Sequence, residues 1–247
     1  MLKLLVIGIL LIALSIVGCN STSTAYPGPS SYPGPASPSR QNSPAYPGAP
    51  SRPVSAATPS PVDEFFSRAE EAYQNGNVDQ AIADYTQAIT LDPKYLEAYY
   101  NRAIAYEDKG QIDLAMADYH QVVTLNPKYV RAWYNLGILE YKGGKLDQAI
   151  ADYTQAIASD PAFSAAYNNR GVAYDDQGNL DQAIADYTQA IQIDAGFAEA
   201  YRNRGLAYRE KGSSSEATAD FQKYLQLAPN APDRAQIEQW LTELKSP

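Results

Sequence analysis

The side chains best suited to nucleophilic or metal chemistry are nearly missing from this 247-residue chain. There is one cysteine, Cys19, and one histidine, His120. One thiol cannot close an internal disulfide, and one thiol with one imidazole cannot complete a four-ligand zinc site. A metal-binding histidine pair lacks its second member, and no catalytic constellation forms around His120. The composition points away from an enzyme and calls for no cofactor. Nineteen basic residues stand against 28 acidic ones, a net charge of −9. That balance argues against nucleic acid as a partner, because phosphate contacts need clustered Lys and Arg.

What does recur with a fixed spacing is amide, guanidinium and carboxylate chemistry. Asn101, Asn135, Asn169 and Asn203 fall 34 residues apart. Each amide can both give and accept hydrogen bonds, so four in register form a ladder able to read a peptide backbone. The alternative is that they cap or solvate a helix, in which Asn is otherwise a poor former. Asp84, Asp118, Asp152, Asp186 and Asp220 keep the same step, and so do Arg68, Arg102, Arg170 and Arg204, with Leu136 the exception. Arg and Asp on one period predict partly buried bidentate pairs, across two helices or between neighbouring repeats. Independently solvated charges are the alternative. His120 replaces a Thr or Gln of the other copies and reads as a surface substitution.

The elements that position these residues follow from the same period. The run Asp-Gln-Ala-Ile-Ala-Asp-Tyr-Thr-Gln-Ala-Ile starts at Asp79, Asp147 and Asp181, with a degenerate copy at Asp113 and a shorter one from Ser215. Repeats of 34 residues therefore cover 62–95, 96–129, 130–163, 164–197 and 198–231. Numbered within a repeat, positions 4, 8 and 11 share one helical face and positions 20, 24 and 27 another. Position 4 is aromatic (Phe65, Tyr99, Trp133, Tyr167, Tyr201), and so is position 24 (Tyr85, Tyr119, Tyr153, Tyr187, Phe221). Position 8 is Ala or Gly, and position 20 is always Ala, which lets two helices approach. Gly76, Gly110, Gly144, Gly178 and Gly212 at position 15 predict a left-handed residue that ends the first helix. Pro93, Pro127, Pro161 and Pro229 stop the second helix, and Ala195 is the exception. Position 11 is Tyr106, Tyr174 and Tyr208 but Ala72 and Glu140 elsewhere, with Tyr73 and Tyr141 one place later. Either the helix rotates slightly there or Glu140 snorkels, or Glu140 sits partly buried as a carboxylate with a raised pKa; the cost of burying an unpartnered carboxylate favours rotation or snorkelling.

This signature resembles the tetratricopeptide repeat (TPR), a helix–turn–helix unit. The resemblance implies an all-α fold: a right-handed α-solenoid of five repeats with a C-terminal capping helix over 232–247. Ile237, Leu241 and Leu244 form the cap's apolar stripe, and Trp240 packs beside it on repeat five. In that family first-helix positions 2, 5, 6, 9, 12 and 13 line a concave groove for peptides. Carried over, the groove residues are Asn101, Asn135, Asn169 and Asn203, with Tyr100, Tyr134, Ile104, Ile138, Val172 and Leu206. The same positions hold nine acids and four bases, a net of −5, so a basic or mixed peptide suits them. The carboxylate-clamp pattern of Lys and Arg is not matched.

The first sixty-one residues are a different material. Met1-Leu2-Lys3 is followed by an apolar run from Leu4 to Val17, too short for a stable span and suited to a signal peptide over 1–18. It ends in Ile16-Val17-Gly18-Cys19, which resembles the lipobox of bacterial lipoproteins and implies lipidation of Cys19. The segment 19–61 carries no acid, repeats Tyr-Pro-Gly at 26–28, 32–34 and 46–48, and holds Pro44, Pro47, Pro50 and Pro53 at every third residue. Such a stretch cannot bury enough apolar area to order itself, and reads as a disordered tether. Residues 62–247 then carry a net of −12. The combined reading is a lipid-anchored, extracytoplasmic scaffold of the cell envelope that captures a peptide in its groove. A cell-wall or glycan ligand held by the same Tyr and Asn residues is the second reading.

Overall fold

The computed structural model describes residues 60–245. The signal peptide, Cys19 and the tether lie outside the described residues. Eleven α-helices and no strand are found among the described residues, and the helices come in pairs. The pairs are α1 (Pro61–Gln74) with α2 (Val78–Leu91), α3 (Leu96–Asp108) with α4 (Ile112–Leu125), α5 (Val130–Lys142) with α6 (Leu146–Ser159), α7 (Ser164–Asp176) with α8 (Leu180–Ile193), and α9 (Ala198–Glu210) with α10 (Ser214–Leu227). A final helix, α11 (Arg234–Glu243), closes the array.

Each pair is set by a small residue facing a ring. Ala81, Ala115, Ala149, Ala183 and Ala217 are fully buried, as are the rings of Tyr85, Tyr119, Tyr153, Tyr187 and Phe221. A Cβ added to Gly171 would stand 2.7 Å from the ring of Tyr187. The first helix therefore lies on that ring with no room for a larger side chain. The position-15 glycines have φ between 70° and 80°, the left-handed region in which a Cβ is strained.

Four of the five second helices end on an extended Asp or Asn, and that side chain accepts from the backbone two residues on; α10 ends on Ala228 instead. Asp92 takes the N–H of Lys94 at 3.0 Å, Asn126 that of Lys128 at 3.0 Å, Asp160 that of Ala162 at 3.0 Å and Asp194 that of Gly196 at 2.9 Å. This Asx turn reverses the chain whether or not proline follows, which is why Ala195 fits in repeat four.

The second helix of each pair packs on the first helix of the next, giving an α-solenoid. Successive first helices also touch one another (α5 with α7, α7 with α9), more closely than successive second helices do. The array therefore curves towards its first helices, whose free face is the concave one. At its end α11 buries Ile237 against Leu206, Phe221 and Tyr224, and sets Trp240 5.7 Å from the ring of Phe221. At the other end Ser60 and Asp63 form a reciprocal capping box on α1.

Candidate interaction groove

The concave face is built from first helices, and their polar side chains mostly bond to one another. Asn135 donates to the hydroxyl of Tyr119 at 2.9 Å, and Asn169 to that of Tyr134 at 3.0 Å. Asn203 donates to the carbonyl oxygen of Asn168 at 3.1 Å, and Asn101 to Glu70 at 3.4 Å. Asn169 and Asn203 are buried, while Asn101 and Asn135 are half-buried. The ladder is thus an inter-repeat strap in which each amide ties its helix to the preceding repeat. A buried amide left without such a partner would cost about 1–3 kcal/mol.

The other predicted groove residues divide in the same way. Tyr100 and Tyr134 are buried, with rings 5.6 Å from Tyr119 and 5.9 Å from Tyr153. Burial pushes the Tyr100 hydroxyl up to about 12. Val172 and Leu206 are also buried, and Ile104 and Ile138 are half-buried. The surface that faces solvent therefore narrows to Asn101, Ile104, Asn135 and Ile138 on α3 and α5.

Carboxylates surround this strip, and several accept hydrogen bonds from tyrosine hydroxyls. Tyr73 donates to Asp108 and Tyr141 to Asp176, each one repeat further on, and Tyr187 donates to Asp175 at 3.4 Å. Burial raises the pKa of Glu70 and of Glu107. The bases at the C-terminal end of the groove turn to the cap. Arg202 pairs with Asp233, and Arg209 lies 4.7 Å over the ring of Trp240 and 3.6 Å from Glu243. Two of the four groove bases are thus engaged by the cap, and Arg131 and Lys142 remain on α5 beside Tyr100 and Glu107. The Tyr73 and Tyr141 links were marked in the sequence by the shift of Tyr from position 11 to position 12.

Away from the groove, the Arg–Asp pairs form within each repeat. Arg102 holds Asp118 at 2.7 Å through both Nε and Nη2, Arg170 holds Asp186 at 2.8 Å through both, and Arg204 holds Asp220 at 2.7 and 2.8 Å. Arg68 holds Asp84 likewise, and that hydrogen bond keeps the Asp84 carboxyl below its usual value. Two further contacts complete the seat. The third guanidinium nitrogen donates to a threonine of the preceding repeat: Arg102 to Thr86 at 2.9 Å, Arg170 to Thr154 at 3.0 Å and Arg204 to Thr188 at 3.0 Å. Two tyrosine rings flank the same group: Tyr99 and Tyr106 at 5.6 and 5.7 Å, Tyr167 and Tyr174 at 5.6 and 6.0 Å, Tyr201 and Tyr208 at 5.7 and 5.9 Å. The threonine contact explains two exceptions at once. His120 replaces that threonine in the repeat before Leu136, where there is no guanidinium to bind.

Glu140 is buried, at 8% exposure, and neither rotates out nor snorkels. Lys145 Nζ lies 3.0 Å from its Oε2. The carboxyl of its neighbour Asp152 is pushed up to about 7 by burial and then by the charge of Glu140. Among the described residues no three His, Cys, Asp or Glu side chains are arranged to hold a metal ion, and no helix is long and apolar enough to cross a membrane.

Family models described as tetratricopeptide repeat match residues 96–129, 134–197 and 171–242, and one described as TPR repeat matches 69–110. Among solved structures, a crystal structure of MamA is 31% identical and covers 65% of this chain and 94% of its own, with a TM-score of 0.62. A second MamA structure is 29% identical over 71% of this chain and 94% of its own, with a TM-score of 0.64. YrrB, described as a TPR protein with an unusual peptide-binding site, is 20% identical over 71% of this chain and 90% of its own, with a TM-score of 0.62. No curated protein matches the chain in sequence.

Proposed function

The chain belongs to the tetratricopeptide repeat family, and from that premise we propose that it is a lipid-anchored, extracytoplasmic scaffold whose concave face captures a basic or mixed peptide segment of another envelope protein. The fold supports a protein-interaction scaffold in general. The observation that carries the finer reading is the chemistry of the open strip. Half-buried Ile104 and Ile138 offer apolar anchors beside Asn101 and Asn135, and carboxylates border them while Arg202 and Arg209 are held by the cap. A segment with one or two apolar side chains and a positive charge meets that surface best. The glycan reading relied on tyrosine faces, and Tyr100 and Tyr134 keep theirs inside the core. YrrB's described peptide-binding site is consistent with peptide capture on this fold.

The anchor rests on sequence: Cys19 closes the Ile16-Val17-Gly18-Cys19 motif, and 19–61 gives a tether between it and α1. Several acyl chains on one residue hold a protein stably at a bilayer, where a single chain does not. The groove is tested by fluorescence titration of the full-length chain with a basic peptide library containing Ile or Leu anchors. Ile138→Glu lowers affinity at least tenfold for the peptides that bind, and raising salt weakens them further. Unchanged binding in that variant refutes the groove. The anchor is tested by labelling with radioactive palmitate, which Cys19→Ser abolishes; persistent label in that variant refutes lipidation at Cys19.

A further inference from the structure

Four features of repeat three depart together from a pattern that repeats two, four and five share. In those repeats a guanidinium sits between two tyrosine rings, receives two carboxylate oxygens from the second helix and reaches a threonine of the preceding repeat. In repeat three the arginine is Leu136, the first ring is Trp133, the second ring is Glu140 and the threonine is His120. The carboxylate remains as Asp152. The seat has lost its cation but kept its acceptor, gained a second carboxylate and exchanged a tyrosine for tryptophan, the strongest ring for a cation.

We propose that this seam between α5 and α6 docks an arginine side chain of a protein partner, which would take the place that Arg102, Arg170 and Arg204 occupy in their own repeats. Three observations support it. The equivalent carboxylates Asp118, Asp186 and Asp220 each bind a guanidinium through both oxygens, so the backbone already sets the geometry. Asp152 itself is half-buried and makes no ion pair or hydrogen bond in the structure, and beside Glu140 it is held towards neutrality. Glu140 Oε2 is buried and accepts no hydrogen bond; Lys145 Nζ, on a largely exposed side chain, is its one ion-pair neighbour at 3.0 Å. Burying two carboxylates side by side is costly unless a cation joins them.

The occupant is a guanidinium rather than a metal ion or an ammonium. No three ligating side chains converge at the seam or elsewhere among the described residues. The sister seats match a flat fork between rings, which a lysine cannot reproduce. Buried Leu136 fills the place of the arginine stem, so a visiting side chain brings its planar tip. The approach is from the outer face, where His120 is exposed. The site is therefore distinct from the concave groove and does not depend on it.

The test follows the Asp152 carboxyl carbon by NMR across pH in the full-length chain in mild detergent. N-acetyl-arginine amide at millimolar concentration lowers the Asp152 midpoint by about one pH unit or more, the usual effect of an arginine beside a carboxylate. N-acetyl-citrulline amide, its neutral isostere, leaves it unchanged. A midpoint unmoved by the arginine amide, or moved as far by N-acetyl-lysine amide, overturns the proposal. In Leu136→Arg the midpoint is low without ligand and insensitive to it. A second readout needs no such variant. In a Trp240→Phe background the remaining indole is Trp133, and the arginine amide changes its fluorescence; Asp152→Asn removes that change. A fluorescence response that persists in Asp152→Asn also overturns the proposal.

Discussion

Asp152 makes stability depend on pH in a direction opposite to Asp84, whose carboxyl Arg68 holds below its usual value. Its folded pKa of about 7 stands above the ordinary carboxylate value of 3.8, because burial and Glu140 disfavour its charge. The folded chain therefore keeps a proton that the unfolded chain releases. The contribution to stability is full below the ordinary carboxylate range and is lost as pH rises towards 7. Asp152→Asn removes that loss. Its melting temperature relative to wild type rises between pH 5 and pH 7.5 and then levels, as read by thermal denaturation; an offset independent of pH contradicts the assignment. At the equivalent position of repeat four, Asp186 is held by Arg170 at 2.8 Å through both oxygens. A double-mutant cycle of Arg170→Leu and Asp186→Asn in urea gives a coupling of about 1–3 kcal/mol, and additivity removes the pair from the framework. The pairing was legible from the 34-residue register of Arg and Asp. The unpaired state of Asp152 was only half legible: Leu136 and His120 stood out as exceptions, but that they flank one guanidinium needs the third dimension. The asparagines were half legible for a related reason. Their period marks a conserved geometry, and period alone does not tell whether an amide meets a ligand or the tyrosine of the repeat before it.

At the scale of the helix pair, the decisive contact is between a small residue on the first helix and a ring on the second. A Cβ on Gly137, Gly171 or Gly205 would come within 2.6 to 2.8 Å of the facing ring, while repeats one and two carry Ala69 and Ala103 at that position. Repeats three to five therefore leave no room for a Cβ at that position. Gly171→Val forces Tyr187 and the α7–α8 spacing to give, and costs about 1–3 kcal/mol as overpacking. Gly178→Ala, in the turn that follows α7, costs about 1–2 kcal/mol for a different reason, the left-handed φ of 78° with open space around the Cβ. Urea denaturation separates the two, since Asn, which tolerates that conformation, recovers stability at position 178 and not at 171. Both glycines were visible in the sequence, one by its turn position and the other by its place on the buried stripe. The Asx turns at Asp92, Asn126, Asp160 and Asp194 were hidden by the more conspicuous proline that follows three of them.

For the whole molecule, stability is shared between neighbours, so each end determines how far disorder spreads inwards. The two ends are closed by different means. Among the described residues no repeat precedes helix α1 to supply a threonine to Arg68, whose side chain is 57% exposed, and the helix is held by the capping box of Ser60 and Asp63. The other end has α11, which buries Ile237, covers Phe221 with Trp240 and binds Arg202 and Arg209. Ile237→Asp places a carboxylate in that apolar contact and detaches the helix at a cost of several kcal/mol. Because each repeat touches mainly the next, the loss is greatest in α9 and α10, smaller in α7 and α8, and absent from α1 to α4. Hydrogen exchange along the chain reads that gradient directly. A uniform loss of protection would mean that the array unfolds as one unit. The same variant frees Arg202 and Arg209 towards the concave face, so it weakens binding of basic peptides more than the local unfolding alone predicts. The cap thus has two effects: it covers the last pair, and it keeps two positive charges away from an acidic groove.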